Sequence, residues 1–110
     1  MENEKSLLVR MFGSSPEMRI LDFFLDSKLF DFSKKEIIEE TGMSKATFYA
    51  HWERLENSGI IKISRKFGKA KLYELNRESP VVKQLLAMEK QLIKFAADKH
   101  TSKRKIPIPA

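Results

Sequence analysis

Between Ser33 and Tyr49 the chain commits to two short helices joined by a tight turn. The stretch reads Ser33-Lys34-Lys35-Glu36-Ile37-Ile38-Glu39-Glu40-Thr41-Gly42-Met43-Ser44-Lys45-Ala46-Thr47-Phe48-Tyr49. Ser33 and Glu36 stand three apart, the spacing at which a serine hydroxyl and a glutamate each satisfy an orphaned amide of a helix start. Gly42 then breaks the helix, and Ser44 is placed to cap the next one. A capped helix, a short turn holding a glycine and a second capped helix is the layout of a helix-turn-helix.

The continuation Ser44-Lys45-Ala46-Thr47-Phe48-Tyr49-Ala50-His51-Trp52-Glu53-Arg54-Leu55-Glu56-Asn57-Ser58-Gly59-Ile60-Ile61 resembles the recognition helix of winged helix-turn-helix transcriptional regulators. In the broad group of MarR-like and ArsR-like repressors this stretch often reads Ser-x-x-Thr-apolar-x-x-His-apolar-x-x-Leu-x-x-x-Gly-apolar-apolar. The likeness runs from about Pro16 to Leu75 and is more specific for the fold than for any subfamily. Phe48 and Trp52 fill apolar slots with larger residues than usual, which implies a bulky local core. The resemblance implies a second helix lying in the major groove of double-stranded DNA, with a basic hairpin beside it.

At about 100° per residue, taking Phe48 as zero, Trp52 falls near 40° and Leu55 near −20°, so these three share a buried stripe. Ala46, Ala50, Glu53 and Asn57 face the opposite way, with Thr47 and Arg54 to one side and Tyr49 to the other. Two alanines on the outer face let the backbone approach base edges, and their methyls suit thymine methyls. Lys45 and Tyr49 flank this strip. Ser44 and Thr47 suit phosphate contacts, aided by the helix N-terminus. The duller roles are a cap for Ser44, packing against the preceding helix for Thr47 and a surface cover or dimer contact for Tyr49. Trp52 reads as core and His51 as a packing or backbone-bonding residue.

Ile61-Lys62-Ile63-Ser64-Arg65 and Lys69-Ala70-Lys71-Leu72-Tyr73-Glu74-Leu75 alternate apolar and polar residues around Lys66-Phe67-Gly68. That period predicts paired, half-buried strands joined by a turn. Ile61, Ile63, Leu72 and either Tyr73 or Leu75 are the expected inward contacts. From Lys62 to Lys71 there are five basic residues, including Arg65, Lys66, Lys69 and Lys71, and no acidic one. Such a wing meets the neighbouring minor groove or backbone, and Arg65, Lys66 and Lys69 are expected at its tip. A solvated hairpin with lysines guarding its edge is the plainer alternative.

Before the motif, Leu7, Leu8, Val9, Met11 and Phe12 form an apolar segment too short to assign by period. Ser14-Ser15-Pro16-Glu17 predicts a helix start, and Ile20, Leu21, Phe24 and Leu25 its buried face. Phe30-Asp31-Phe32 reads as a short strand. After the wing, Ser79-Pro80 opens a long helix in which Val81, Leu85, Met88, Leu92 and Phe95 form a heptad-like seam. Val82, Leu86, Ile93 and Ala96 form a second seam beside it. An apolar face this wide predicts pairing with a second copy, with Leu7 to Phe12 as a possible contributor, and a homodimer matches an inverted-repeat site.

Charge is distributed to match. The net charge of +6 divides into −3 over residues 1–42, +4 over 43–75 and +5 over 76–110. The two positive thirds suit a polyanion. The basic tail with Lys103, Arg104 and Lys105 reads as disordered and able to add only backbone contacts. Zero cysteines exclude disulfides, thiol catalysis and the thiol metal ligands of ArsR-like sensors. No Gly-rich phosphate loop appears, and neither His51 nor His100 sits in a ligand cluster. Asp22 and Asp26 read as a solvated face. No catalytic, cofactor or metal residues are expected. No apolar run is long enough to cross a bilayer, and the start lacks a leader pattern, so a cytoplasmic, non-membrane protein is expected.

The expected architecture is mainly α with a small β-hairpin: an apolar segment over 1–13, a winged helix-turn-helix over 14–76, a dimerisation helix over 79–100 and a basic tail over 101–110. The expected function is sequence-specific binding of double-stranded DNA by a homodimeric regulator, a repressor, with any small-molecule effector open. A plasmid-partition, origin-binding or architectural DNA role is the first alternative. A protein–protein interaction module on the same fold is the second.

Overall fold

A computed structural model describes residues 7–102. The order is α1 (Leu7–Phe12), α2 (Pro16–Asp26), α3 (Lys34–Thr41), α4 (Lys45–Asn57), β1 (Ile61–Phe67), β2 (Ala70–Leu75) and α5 (Pro80–Ser102). The segment over Leu7–Phe12 is helical. The basic tail, with Lys103, Arg104 and Lys105, lies outside the described residues.

The helix ends follow the local chemistry of their caps. Ser15 caps α2 by accepting from the Met18 amide at 3.2 Å, with Pro16 in the first turn. The capping box of α3 is complete: the Glu36 amide donates to Ser33 Oγ at 3.1 Å, and the Ser33 amide donates to Glu36 Oε1 at 2.8 Å. Gly42 ends α3 at φ 70° and ψ 15°, and its amide donates to the Ile38 carbonyl. An alanine Cβ there would meet nothing within 4 Å, so the cost of Gly42→Ala is that of the left-handed backbone alone. It should destabilise the fold by about 1–2 kcal/mol, measurable as a shifted urea midpoint with unchanged slope.

α2 is the central element, packing against α1, α3, α4 and β2, while α1 also meets α5. Ile20, Phe24 and Leu25 of α2, Ile37 of α3, Phe48 of α4 and Val82 of α5 are wholly buried. Burying each such large side chain contributes about 1.5–3 kcal/mol. Trp52 joins the helices to the hairpin: its ring stacks on Phe48 at 5.0 Å and 24° and meets Tyr73 edge-on at 5.0 Å.

The hairpin is antiparallel, pairing Ile61 with Leu75 and Ile63 with Tyr73, then Arg65 with Leu72 and Lys66 with Lys71. Ser64 is therefore an extra residue, a bulge that shifts the alternation by one. Residues facing each other across a ladder share a side of the sheet. Ile61, Ile63, Leu75, Tyr73, Lys66 and Lys71 thus share the side turned toward the helices. Leu72 lies on the other side with Arg65. The expectation that Leu72 points inward is overturned by this register, and Tyr73 and Leu75 are both inward instead. The turn is also shifted from Lys66-Phe67-Gly68. Phe67 and Ala70 still pair, leaving Gly68 and Lys69 as the connection. Gly68 takes φ 59° and Lys69 no positive φ, the pattern of a tight II′ hairpin turn.

Phe30-Asp31-Phe32 supplies one rung and not a strand. Phe32 bridges Tyr73, with reciprocal amide–carbonyl bonds of 2.8 and 2.7 Å. Because Ile63 occupies the other edge of Tyr73, β2 lies between β1 and this rung. Asp22 and Asp26 do not both sit on a solvated face, since Asp22 is half-buried. They raise the carboxyl of Glu89 on α5 above its ordinary range, after burial as the larger cause, while Lys28 opposes them. A carboxyl raised in the fold binds its proton more tightly there. That contribution is present at low pH and is lost as pH rises through the raised value.

Candidate nucleic-acid interface

Ser44 caps α4 by accepting from the Thr47 amide at 3.1 Å, and its hydroxyl also donates to Thr47 Oγ1 at 2.9 Å. Met43, buried just before it, pins the turn to the core. Phe48, Trp52 and Leu55 face inward, and the opposite face presents Lys45, Ala46, Tyr49, Ala50, Glu53 and Asn57 to solvent. Thr47 is half-buried. Tyr49 is 52% exposed, with its ring edge-on to Phe48 at 5.1 Å. It joins Lys35, Ile38, Glu39 and Lys45 around a hollow of ≈ 320 Å³ between α3 and α4.

Two residues of α4 are drawn aside. Glu17 Oε2, at the start of α2, lies 3.1 Å from His51 Nδ1 and 3.1 Å from Arg54. The reading of His51 as a packing or backbone-bonding residue is therefore corrected: it is a carboxylate partner that ties α4 to α2. Arg54 keeps most of its surface exposed but shares that carboxylate.

The five wing cations separate into two classes. Lys62 pairs with Glu74 at 3.7 Å. Arg65 is held by Asp31 through both carboxylate oxygens, Nε at 2.9 Å and a terminal nitrogen at 3.1 Å. Ser64 at the bulge donates to the same carboxylate, and the Arg65 guanidinium lies 5.4 Å from the Phe67 ring centre. With Asp31 one strand beyond β2, Arg65 must reach across the outer side of β2 to meet it. It straps the sheet and does not project from the tip. Lys66, Lys69 and Lys71 are exposed and have no carboxylate within 4.0 Å among the described residues.

The clasp has a titration signature. The hydrogen bond from Arg65, then that from Ser64, holds the Asp31 carboxyl below its ordinary range. A lowered carboxyl favours the fold above its unfolded value, near 3.9, and that benefit is lost as pH falls through the lowered value. Carbon-detected NMR should find Asp31 titrating below the ordinary range and returning to it in Arg65→Ala. An unchanged Asp31 in that variant would dissolve the clasp.

Two members of this surface, Asp31 and Lys34, were not legible in the sequence. Lys34 lies with its Nζ over the rings of Tyr49, Trp52 and Tyr73, at 5.5, 5.9 and 5.7 Å. Asp31 lies 34 positions from Arg65, and only the folded register brings them together.

On α5, Val82 is buried and Leu85, Leu86, Met88 and Leu92 pack partly on the core. The predicted seam is thus shared: Leu85, Met88 and Leu92 cover the domain as well as facing outward. Val81, Ile93 and Phe95 are exposed, as are Met11 and Phe12 on α1. Pro80, Val81, Gln84, Leu85 and Met88 line a shallow apolar hollow of ≈ 370 Å³. Among the described residues no helix is long and apolar enough to cross a membrane, and no group of three His, Cys, Asp or Glu is placed to hold a metal ion.

No protein-family model matches the sequence, and no curated protein matches it. Solved structures do. The iron-containing ferric uptake regulator of Francisella tularensis matches with 25% identity over 60% of this chain and a TM-score of 0.50; this chain spans 54% of its length. ZitR of Lactococcus lactis, solved as a mutant in apo form, matches with 15% identity, covering 86% of this chain and 74% of that one at a TM-score of 0.61. A homodimeric winged helix-turn-helix DNA-binding domain of Mycobacterium bovis, described as a possible ArsR-family transcriptional regulator, matches with 19% identity. It covers 98% of this chain and all of that fragment, at a TM-score of 0.54. The fold is a winged helix-turn-helix: mostly helical, with one two-stranded wing and a long C-terminal helix.

Proposed function

We propose that this protein binds double-stranded DNA sequence-specifically as a homodimer and regulates transcription, acting as a repressor that occludes a promoter. One observation carries the reading: exposed Lys45, Ala46, Tyr49 and Ala50 on α4 adjoin a wing whose Lys66, Lys69 and Lys71 have no carboxylate partner among the described residues. The alanine strip admits α4 to base edges, Lys45 and Tyr49 read alongside it, and the uncompensated lysines meet phosphates. Ser44 and Thr47 lie at the helix end where a phosphate oxygen would approach, and Arg54 stands nearer the flank, shared with Glu17. Lys71 and Lys66 act together, being direct cross-strand partners.

Dimerisation is supported by the apolar residues that the single chain leaves exposed. Ile93 on α5 and Met11 and Phe12 on α1 are exposed, as are Val81 and Phe95 on the first seam of α5, and one solved chain of this fold is described as homodimeric. Leu85, Met88 and Leu92 contribute to the same face while bracing the core. A two-fold pair presents two recognition helices to half-sites about one DNA turn apart.

The exposed Phe67 at the wing's end favours a second reading, a protein-binding wing. Its ring, however, lies against Arg65, and lysines surround it. Selection of bound duplexes from a random library decides among these readings. An enriched inverted repeat is expected. Binding without enrichment would indicate an architectural or partition role. Absence of binding at moderate salt would favour the interaction module.

A further inference from the structure

Where α3 begins beside β2, Ser33, Lys34, Lys69, Ala70, Lys71 and Tyr73 line an open notch of ≈ 310 Å³. Three of the six are lysines and none is acidic. The half-buried Lys34 is held by the faces of Tyr49, Trp52 and Tyr73 and has no carboxylate within 4.0 Å among the described residues. Its charge is therefore positioned without being neutralised. Lys71 directly faces Lys66 across the ladder, an arrangement of like charges that costs stability unless an anion lies between them. The helix end itself adds little, because Ser33 and Glu36 already satisfy each other in the capping box.

The place of the notch identifies the anion. Tyr49 belongs to both its Lys34 cage and the exposed face of α4, while Lys69 and Lys71 belong to the wing. A nucleic-acid strand passing from α4 to the wing crosses this point. We propose that the notch seats one phosphodiester of the DNA backbone, with Lys34, Lys69 and Lys71 as its ligands. The inference rests on the DNA-binding reading and adds to it a ligand on α3, Lys34, outside both the recognition helix and the wing.

The test uses the full chain and its selected duplex, with a neutral methylphosphonate introduced at one backbone position at a time. Lys34→Met keeps the apolar stem on the three rings and removes the charge. Its affinity is expected to fall roughly tenfold, and its salt slope to become shallower by about 0.9. One methylphosphonate position should weaken the wild type at least as much, and should weaken Lys34→Met by clearly less than it weakens the wild type, because only Lys69 and Lys71 then remain to lose a contact. Lys34→Arg should restore the wild-type pattern. If Lys34→Met fails to fold by circular dichroism, Lys71→Met takes its place in the same cycle.

Additive losses at every position would overturn the notch and leave DNA binding intact. No binding of any duplex by the wild type would remove the underlying reading instead. Inorganic phosphate is titrated by NMR as a separate arm. Saturable shifts at Lys34 and Lys71 without any methylphosphonate coupling would assign the notch to a free phosphate compound and overturn the backbone assignment.

Discussion

Alanine at Lys66, Lys69 and Lys71 together should flatten the salt dependence of DNA binding by about 3 in log–log slope, about 1 for each backbone-contacting lysine removed. Affinity should fall for all sequences alike, because contacts to the backbone carry no base information. Alanine at Lys62 and Arg65 should change the slope far less per charge removed, since Glu74 and Asp31 already compensate them. Counting basic residues along the hairpin would assign all five the same weight. Anisotropy titrations at several salt concentrations separate the two accounts. Equal changes per charge would mean that Arg65 exchanges Asp31 for DNA, and the strap across β2 would then be an interaction that binding breaks.

That division among cations shows where sequence reading reaches and where it stops. The capping box, the Gly42 stop, the Ser44 cap and the buried stripe of Phe48, Trp52 and Leu55 depend on residues within one or two helical turns. Local chemistry dictates them, and each is present in the structure. The bulge at Ser64 has no local signal, yet it decides that Leu72 faces away from the core and that Lys66 joins Lys71. Asp31 and Glu17 were visible only as single acids in a region of net negative charge. Their partners lie more than thirty positions away, so their roles depend on tertiary register. Lys34 was legible as the first residue of α3 and not as a cation seated on rings contributed by two other elements. The candidate DNA surface was therefore readable where one helix makes it, and unreadable where separate elements converge.

Phe48 and Tyr49 are adjacent in sequence, and their alanine variants should fail in opposite ways. Phe48 is wholly buried, stacked on Trp52 and meeting Tyr49 edge-on. With Trp52, whose ring lies 6.5 Å from that of Phe24, and Leu55, it forms the buried face by which α4 joins the core. Phe48→Ala should cost about 3–5 kcal/mol, lowering the melting temperature by roughly 15 °C or more in a domain this small. Such a loss is a large part of the ~5–15 kcal/mol that holds a typical domain together. Trp52, the single tryptophan, lies against the site of change and reports unfolding by its fluorescence. Tyr49 is half in solvent and contributes about 1 kcal/mol through its edge-on contact with Phe48. Tyr49→Ala should therefore melt within several degrees of the wild type. Its deficit should appear in binding, as a smaller gap between selected and random DNA, by about 1–3 kcal/mol if the ring or hydroxyl reads a base. A uniform loss across sequences would make Tyr49 a backbone contact, with the Lys34 cage as its route. A Phe48→Ala protein that melts normally would mean that α4 is held by its ties to Glu17 and its cap, and the aromatic stack would lose its place as the anchor of the recognition helix.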